Sequence, residues 1–214
     1  MCAISGAPNI QKAFSLYESG LQRGHYSSGA LIATKQNTFV LKQKEPFTYD
    51  DILDSILSKD NLYDVIYCTF HSRAPTNMIE EKWNYDTTHP FDFGAYYVAH
   101  NGIINNFKTF TESSEFIIDS SIIPYHLHQN SGDISIVYEK YTGLLTSWIY
   151  DSIRSNFFVI KAGSSLHKDE DSFSSVPFEG SENIEKDGLI FSFTKNKKLE
   201  EISNFKYSNP YFIL

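Results

Sequence analysis

Met1-Cys2-Ala3-Ile4-Ser5-Gly6 opens this chain, and the reading of its second residue decides the rest. Three later stretches share a purpose only if Cys2 becomes the first residue: His71-Ser72-Arg73-Ala74-Pro75-Thr76, His100-Asn101-Gly102-Ile103-Ile104-Asn105-Asn106 and Ile118-Asp119-Ser120-Ser121-Ile122-Ile123. Cysteine is small enough for ordinary methionine removal. The new terminus would then carry a thiol and a free α-amine on one residue. An α-amine titrates at about 7.7–8.0, so near neutral pH a good fraction can take the thiol proton, directly or through a water. Thiol and amine together make a nucleophile–base pair that needs no histidine. Taken alone, a cysteine at position two is more often a small buried hydrophobe. The competing thiol, Cys68, lies in the β-prone run Val65-Ile66-Tyr67-Cys68-Thr69-Phe70, where burial raises a thiol pKa and leaves it inert.

Bulk properties narrow the class. A chain of 214 residues, 41% hydrophobic and 15% aromatic, is long enough for one well-buried domain, expected to span 1–214. Its net charge of −8 argues against nucleic acid as a partner, since phosphate binding calls for a basic stripe. No apolar run is long enough for a membrane span, and the N-terminus lacks a signal-peptide pattern. Two cysteines make no disulfide framework and suggest a reducing, cytoplasmic compartment.

The local patterns predict mixed helices and strands. Residues 1–6 read as an apolar strand. Asn9 caps a helix with Ile10, Ala13, Phe14 and Leu21 on its apolar face. Residues 23–29 read as a turn, 30–34 and 38–43 as a hairpin, and Asp50-Asp51 as the cap of a helix to about Ser58. A strand over 63–71 precedes a long functional loop over 72–94. Another strand, over 95–100, ends at Asn101-Gly102. Asp119 opens a helical segment whose start is fixed by Pro124, and 134–141 gives a further helix. Strands are expected at 144–150, 157–162 and 188–194. The Ser- and acid-rich stretch 163–187 reads as a surface excursion, and 211–214 as a tail tucked against the body. Sheets packed together and covered by helices follow from this order.

Five separated pieces carry a family resemblance through most of residues 2–151. They are Cys2-Ala3-Ile4, the turn Arg23-Gly24-His25-Tyr26-Ser27-Ser28-Gly29, His71-Ser72-Arg73-Ala74-Pro75-Thr76, His89-Pro90-Phe91 leading to His100-Asn101-Gly102, and Asp119-Ser120-Ser121-Ile122-Ile123. In that order and spacing the chain resembles the class II glutamine amidotransferases, a family of N-terminal nucleophile hydrolases. The resemblance implies an α+β fold, a four-layer αββα sandwich, with no cofactor and no metal. It implies that Cys2 attacks the side-chain amide of L-glutamine while Asn101 and Gly102 hold the oxyanion. Arg73, with Thr76 beside it, would bind the α-carboxylate, and Asp119 the α-ammonium. Arg23, Gly24 and His100 would support the nucleophile and the oxyanion hole. The loop over 73–83 would close over glutamine. Ammonia would pass to a separate synthase subunit, since the chain reads as free-standing; exposed aromatics and the acidic 169–187 stretch are candidate contacts.

The residue types suit these roles, and each has a plainer reading beside it. A guanidinium is a planar fork for a carboxylate, or one half of a surface ion pair. Asp119 could be only a helix cap, and Glu112 or Glu115 could rival it for the ammonium. Asn-Gly is also the commonest hairpin turn. His71, His89 and His100 match no compact zinc spacing and read as structural hydrogen-bonding residues. Three departures from the family pattern bear on gating more than on hydrolysis: Ala3 after the nucleophile, Tyr26 in the turn, and Ala74 where an aromatic is common, with Trp83 as a substitute gate. Two rival readings remain: another N-terminal-cysteine amidase, and an inactive amidotransferase-like binding subunit.

Overall fold

The structure, a computed structural model, describes residues 2–74 and 84–208. Met1, Thr76, Trp83, most of the 73–83 loop and the 211–214 tail lie outside the described residues. The chain divides into two compact units: Met1–Pro90 with His167–Glu182, and Phe91–Leu166 with Asn183–Leu214. Among the described residues no helix is long and apolar enough to cross a membrane.

The first unit grows from the N-terminus. Strand β1 (Ala3–Ala7) is buried along its whole length, which is why it reads as an unbroken run of small and apolar residues. Helix α1 (Ile10–Gly20) starts where the Asn9 side chain accepts the Lys12 N–H at 2.8 Å. Strands β2 (Ser27–Thr34) and β3 (Thr38–Gln43) form the expected hairpin, β2 beginning three residues early. Helix α2 (Tyr49–Leu57) corrects the expected cap. Thr48 is the N-cap: its hydroxyl accepts the Asp51 N–H, and the Asp51 carboxylate accepts the Thr48 N–H, in a capping box. Strand β4 (Val65–Arg73) runs two residues past the predicted end and lies between β1 and β2. Phe14, Tyr17 and Phe70 meet Ile52 and Ile56 in this unit's core, with the Tyr17 and Phe70 rings stacked 4.7 Å apart. Each such aliphatic side chain contributes roughly 1.5–3 kcal/mol on burial.

The second unit holds a six-stranded sheet. Its first four strands are β5 (Phe91–Phe93), β6 (Tyr96–Ile104), β7 (Gly143–Asp151) and β8 (Asn156–Lys161). Helix α3 (Ile122–Gln129) follows a single 3-10 turn over Asp119–Ser121, with Pro124 in its first turn where the missing N–H costs nothing. Helix α4 (Ile134–Tyr138) is shorter than predicted and is capped by Asp133. Ile122, Ile123, Leu127, Val137, Leu145 and Ile149 are fully or almost fully buried in its core.

The stretch expected to be a surface excursion is largely a sheet edge instead. Short strands β9 (His167–Lys168), β10 (Phe173–Ser174) and β11 (Glu182–Asn183) continue the first sheet, in the order β11-β9-β10-β1-β4-β2-β3. Phe173 is fully buried and the Lys12 ammonium is held by Asp169 and Asp171 at 2.7 and 2.5 Å. Two-residue strands are too short to leave a periodic signal. The last strands, β12 (Leu189–Phe193) and β13 (Leu199–Asn204), complete the second sheet as β13-β12-β8-β7-β6-β5. Beyond its first residue β13 is exposed, so its polar sequence hides it from a pattern search.

Candidate active site

In the first unit, Cys2 stands at the mouth of β1. The antiparallel register pairs Ala3 with Ser72, and one further step brings Cys2 level with Arg73 at the end of β4. Cys2 is half-buried. Burial pushes its thiol above the ordinary value, while the Ala74 backbone bond and the charges of Arg73 and Arg23 pull it down without cancelling the rise. A thiol so placed needs a base. Cys68 is fully buried and its thiol is pushed well up by burial, which leaves it inert.

The two arginines are held differently. Arg23 donates through Nη1 to the Ser175 carbonyl at 2.6 Å; burial lowers its pKa and the neighbouring Cys2 opposes that shift. Arg73 donates to the Thr87 carbonyl at 3.2 Å and lies 5.6 Å over the Tyr26 ring. Tyr26, read from sequence only as a departure from the family turn, is therefore a platform for the guanidinium. Gly24 is required by space: a Cβ there would come within 2.5 Å of the Ala74 nitrogen. A cavity of about 440 Å³ opens beside this turn, lined by Arg23, Gly24, Tyr26, Lys44 and Ala74 among others. His71 and His89 are buried with ring centroids 4.0 Å apart.

The second unit holds the other residues. Asn101 and Gly102 are not a hairpin turn, and the strand does not stop before them. β6 carries both through to Ile104, opposite Thr146 and Leu145 of β7. Asn101 is buried. Gly102 passes so close to β7 that a Cβ would lie 1.8 Å from the Leu144 oxygen and 2.8 Å from His100 Nε2. That same oxygen accepts from His100 Nε2 at 2.7 Å. A carbonyl can only accept, so Nε2 carries the imidazole proton. Burial lowers the His100 pKa, against the Asp119 charge and the Leu144 bond, and the neutral ring then accepts at Nδ1 from the Ser120 hydroxyl, 2.8 Å away.

Asp119 is the first residue of its 3-10 turn and not the cap; Ile118 holds that position. Its carboxylate accepts the Ile104 N–H at 2.7 Å through one oxygen and the Ser120 N–H at 2.8 Å through the other. The Ser120 hydroxyl also lies 3.2 Å from the second oxygen, so it is the Ile104-bound one that keeps a lone pair for a further donor. Of the rivals, Glu112 is committed elsewhere: it accepts from His126 Nε2 at 2.5 Å, while His126 Nδ1 meets the Tyr141 hydroxyl at 2.7 Å. Sequence reasoning gave no role to Ser120, although it lies inside a quoted motif, and none to the Leu144 carbonyl, which has no sequence signature. Among the described residues no group of three His, Cys, Asp or Glu side chains could hold a metal ion.

The Glu112 pair has a testable pH signature. The His126 hydrogen bond, then that of Thr111, lowers the Glu112 pKa from 4.5 to about 2. A carboxylate depressed in the fold stabilises it above its unfolded pKa and loses that contribution as pH falls through the folded one. Glu112→Gln should therefore be less stable than the parent at pH 6, with the difference closing between about 4.5 and 2, as read by fluorescence-monitored unfolding. An unchanging difference across that window would show that the pair does not titrate as described.

Comparison with known proteins bears on the fold. It is α+β with two antiparallel sheets, and two solved structures share it. Among solved structures the chain is similar to the glutamine phosphoribosylpyrophosphate amidotransferase from B. subtilis, with TM-score 0.66 and 15% identity, covering 96% of this chain and 49% of that one. It is also similar to a protein described as the allosteric regulatory enzyme of purine biosynthesis, with TM-score 0.67 and 15% identity, covering 98% and 50%. A curated relative, 7-cyano-7-deazaguanine synthase of Saccharolobus solfataricus, is 27% identical over 139 residues, 58% of this chain and 29% of the relative. The chain thus spans about half the length of those solved structures and less than a third of that relative. No family model matches it.

Proposed function

We propose that this protein is a glutaminase of the class II amidotransferase kind, acting in the cytoplasm and passing ammonia to a separate synthase. Removal of Met1 frees the Cys2 amine. That amine takes the thiol proton, and the sulfur attacks the side-chain carbonyl of L-glutamine to give a tetrahedral oxyanion held by the Asn101 amide and the Gly102 N–H. The amine returns the proton to the leaving nitrogen, the C–N bond breaks, and ammonia departs from a thioester. Water, deprotonated by the same amine, cleaves the thioester to glutamate and restores the thiol. Arg73, with Thr76, binds the α-carboxylate; Asp119 binds the α-ammonium. No cofactor enters these steps.

The observation that carries this reading is the β1–β4 register, which sets Cys2 level with Arg73. A nucleophile and an anion-binding fork one strand apart suit a substrate whose amide and carboxylate share one short chain. The elevated Cys2 pKa supports the terminal amine as base, because the surroundings do not supply a standing thiolate. The relatives' names, an amidotransferase and a synthase, accord with a module that supplies nitrogen.

Arg73→Ala tests the reading against a general amidase. Loss of a charge-assisted fork to a carboxylate removes about 1.5–3 kcal/mol, so KM for glutamine should rise about 10–100-fold with a smaller change in kcat. An Arg73→Ala enzyme with the parent's glutamine KM would favour an acyl-amide substrate without the amino-acid charges.

A further inference from the structure

Ser120 is 3% exposed and its hydroxyl lies between two groups of the candidate site: Asp119 Oδ1 at 3.2 Å and His100 Nδ1 at 2.8 Å. Beyond His100 the chain of bonds continues through Nε2 to the Leu144 carbonyl at 2.7 Å. That carbonyl is the atom packed against Gly102, where no Cβ fits. One line of close polar contacts therefore joins the aspartate at the turn to the backbone of the Asn-Gly strand, all within the second unit.

The single hydroxyl proton gives the line a direction. Because Leu144 can only accept, His100 must donate from Nε2 and receive at Nδ1, so the Ser120 proton points at His100. The 3.2 Å contact with Asp119 Oδ1, which already accepts the Ser120 N–H, is then the weaker of the two. A Ser120 proton turned the other way would occupy Asp119 and leave a buried imidazole nitrogen without its donor.

We propose that Ser120 is a positioning residue whose hydroxyl, donating to Nδ1, holds the neutral His100 ring against the Leu144 carbonyl and so keeps that carbonyl seated on Gly102. This rests on the proposed glutaminase role of Gly102. The serine touches neither substrate nor reacting atoms. It acts through His100, and so bears on how well the oxyanion strand is placed.

Two readouts on the full chain test it: nitrogen-15 NMR of the His100 imidazole, assigned with His100→Gln, and steady-state glutamine hydrolysis. Ser120→Ala should shift the His100 Nδ1 resonance to that of an acceptor nitrogen without a donor, with Nε2 still protonated against Leu144. It should also lower kcat by about tenfold, with a smaller change in KM, as expected for one buried hydrogen bond. Ser120→Thr, which keeps the hydroxyl, should restore both, and it carries the test if the alanine variant does not fold. Ser120→Ala with the parent's Nδ1 resonance and kinetics, or Ser120→Thr with the same resonance and kinetics as a folded Ser120→Ala, overturns the proposal. Asp119→Asn separates it from the functional reading. Unchanged glutamine KM in that variant removes Asp119 as the ammonium anchor, whereas the NMR result decides the Ser120–His100 link even if no variant hydrolyses glutamine.

Discussion

Cys2→Ala is expected to abolish glutamine hydrolysis while leaving the fold intact. The nucleophile has no substitute: Cys68 is fully buried in β4 with its thiol pushed well up, and alanine offers the same terminal amine with nothing to activate. Loss of the attacking atom in a covalent catalyst costs on the order of 10⁴-fold or more. The structural cost is small because Cys2 is half-buried at the start of its strand, and alanine keeps the Cβ. The pair of measurements is ammonia release and a thermal melt. Residual turnover within tenfold of the parent would move the nucleophile elsewhere.

Gly102→Ala should be the most damaging change on the other side of the chemistry. The new Cβ would sit 1.8 Å from the Leu144 oxygen, far inside contact distance. Because that neighbour is backbone, β6 and β7 must part locally. Overpacking of this kind costs about 1–3 kcal/mol of stability. Displacing one oxyanion donor costs about 10²–10³ in rate. A folded Gly102→Ala enzyme should therefore melt earlier and turn over at least a hundredfold more slowly. The same kcat as the parent would exclude the Gly102 N–H from the oxyanion hole.

Much of this was open to inspection in the bare chain, and what was hidden has physical causes. Elements with strong local grammar were legible: Asn9 before an amphipathic run, the 38–43 strand, and Pro124 marking the first turn of α3. The 95–100 strand was expected to end at Asn101-Gly102, whose local preference is a turn, whereas pairing with β7 carries it on extended to Ile104. That override is tertiary, and no window of sequence contains it. The 163–187 stretch misled for the opposite reason: its charges suggest solvent, yet Phe173 and its two-residue pairings fasten it to β1. At the candidate site, residue types single out Cys2, Arg73 and Asp119. The supporting contacts were silent, since Thr87 and Leu144 act through carbonyls that every residue has. Ser120 stands in a motif, but its contact with His100 depends on where that ring lies in space.

The central claim is that a freed Cys2 is the sulfur that attacks glutamine, and covalent capture tests it most directly. The purified chain would be treated with a glutamine analogue carrying a diazoketone in place of the amide, then measured intact and after digestion by mass spectrometry. The prediction is a chain lacking Met1 that gains one equivalent of label on Cys2, protected by excess glutamine. An active chain that retains Met1, or one whose label falls on Cys68 or on any other residue, would contradict it.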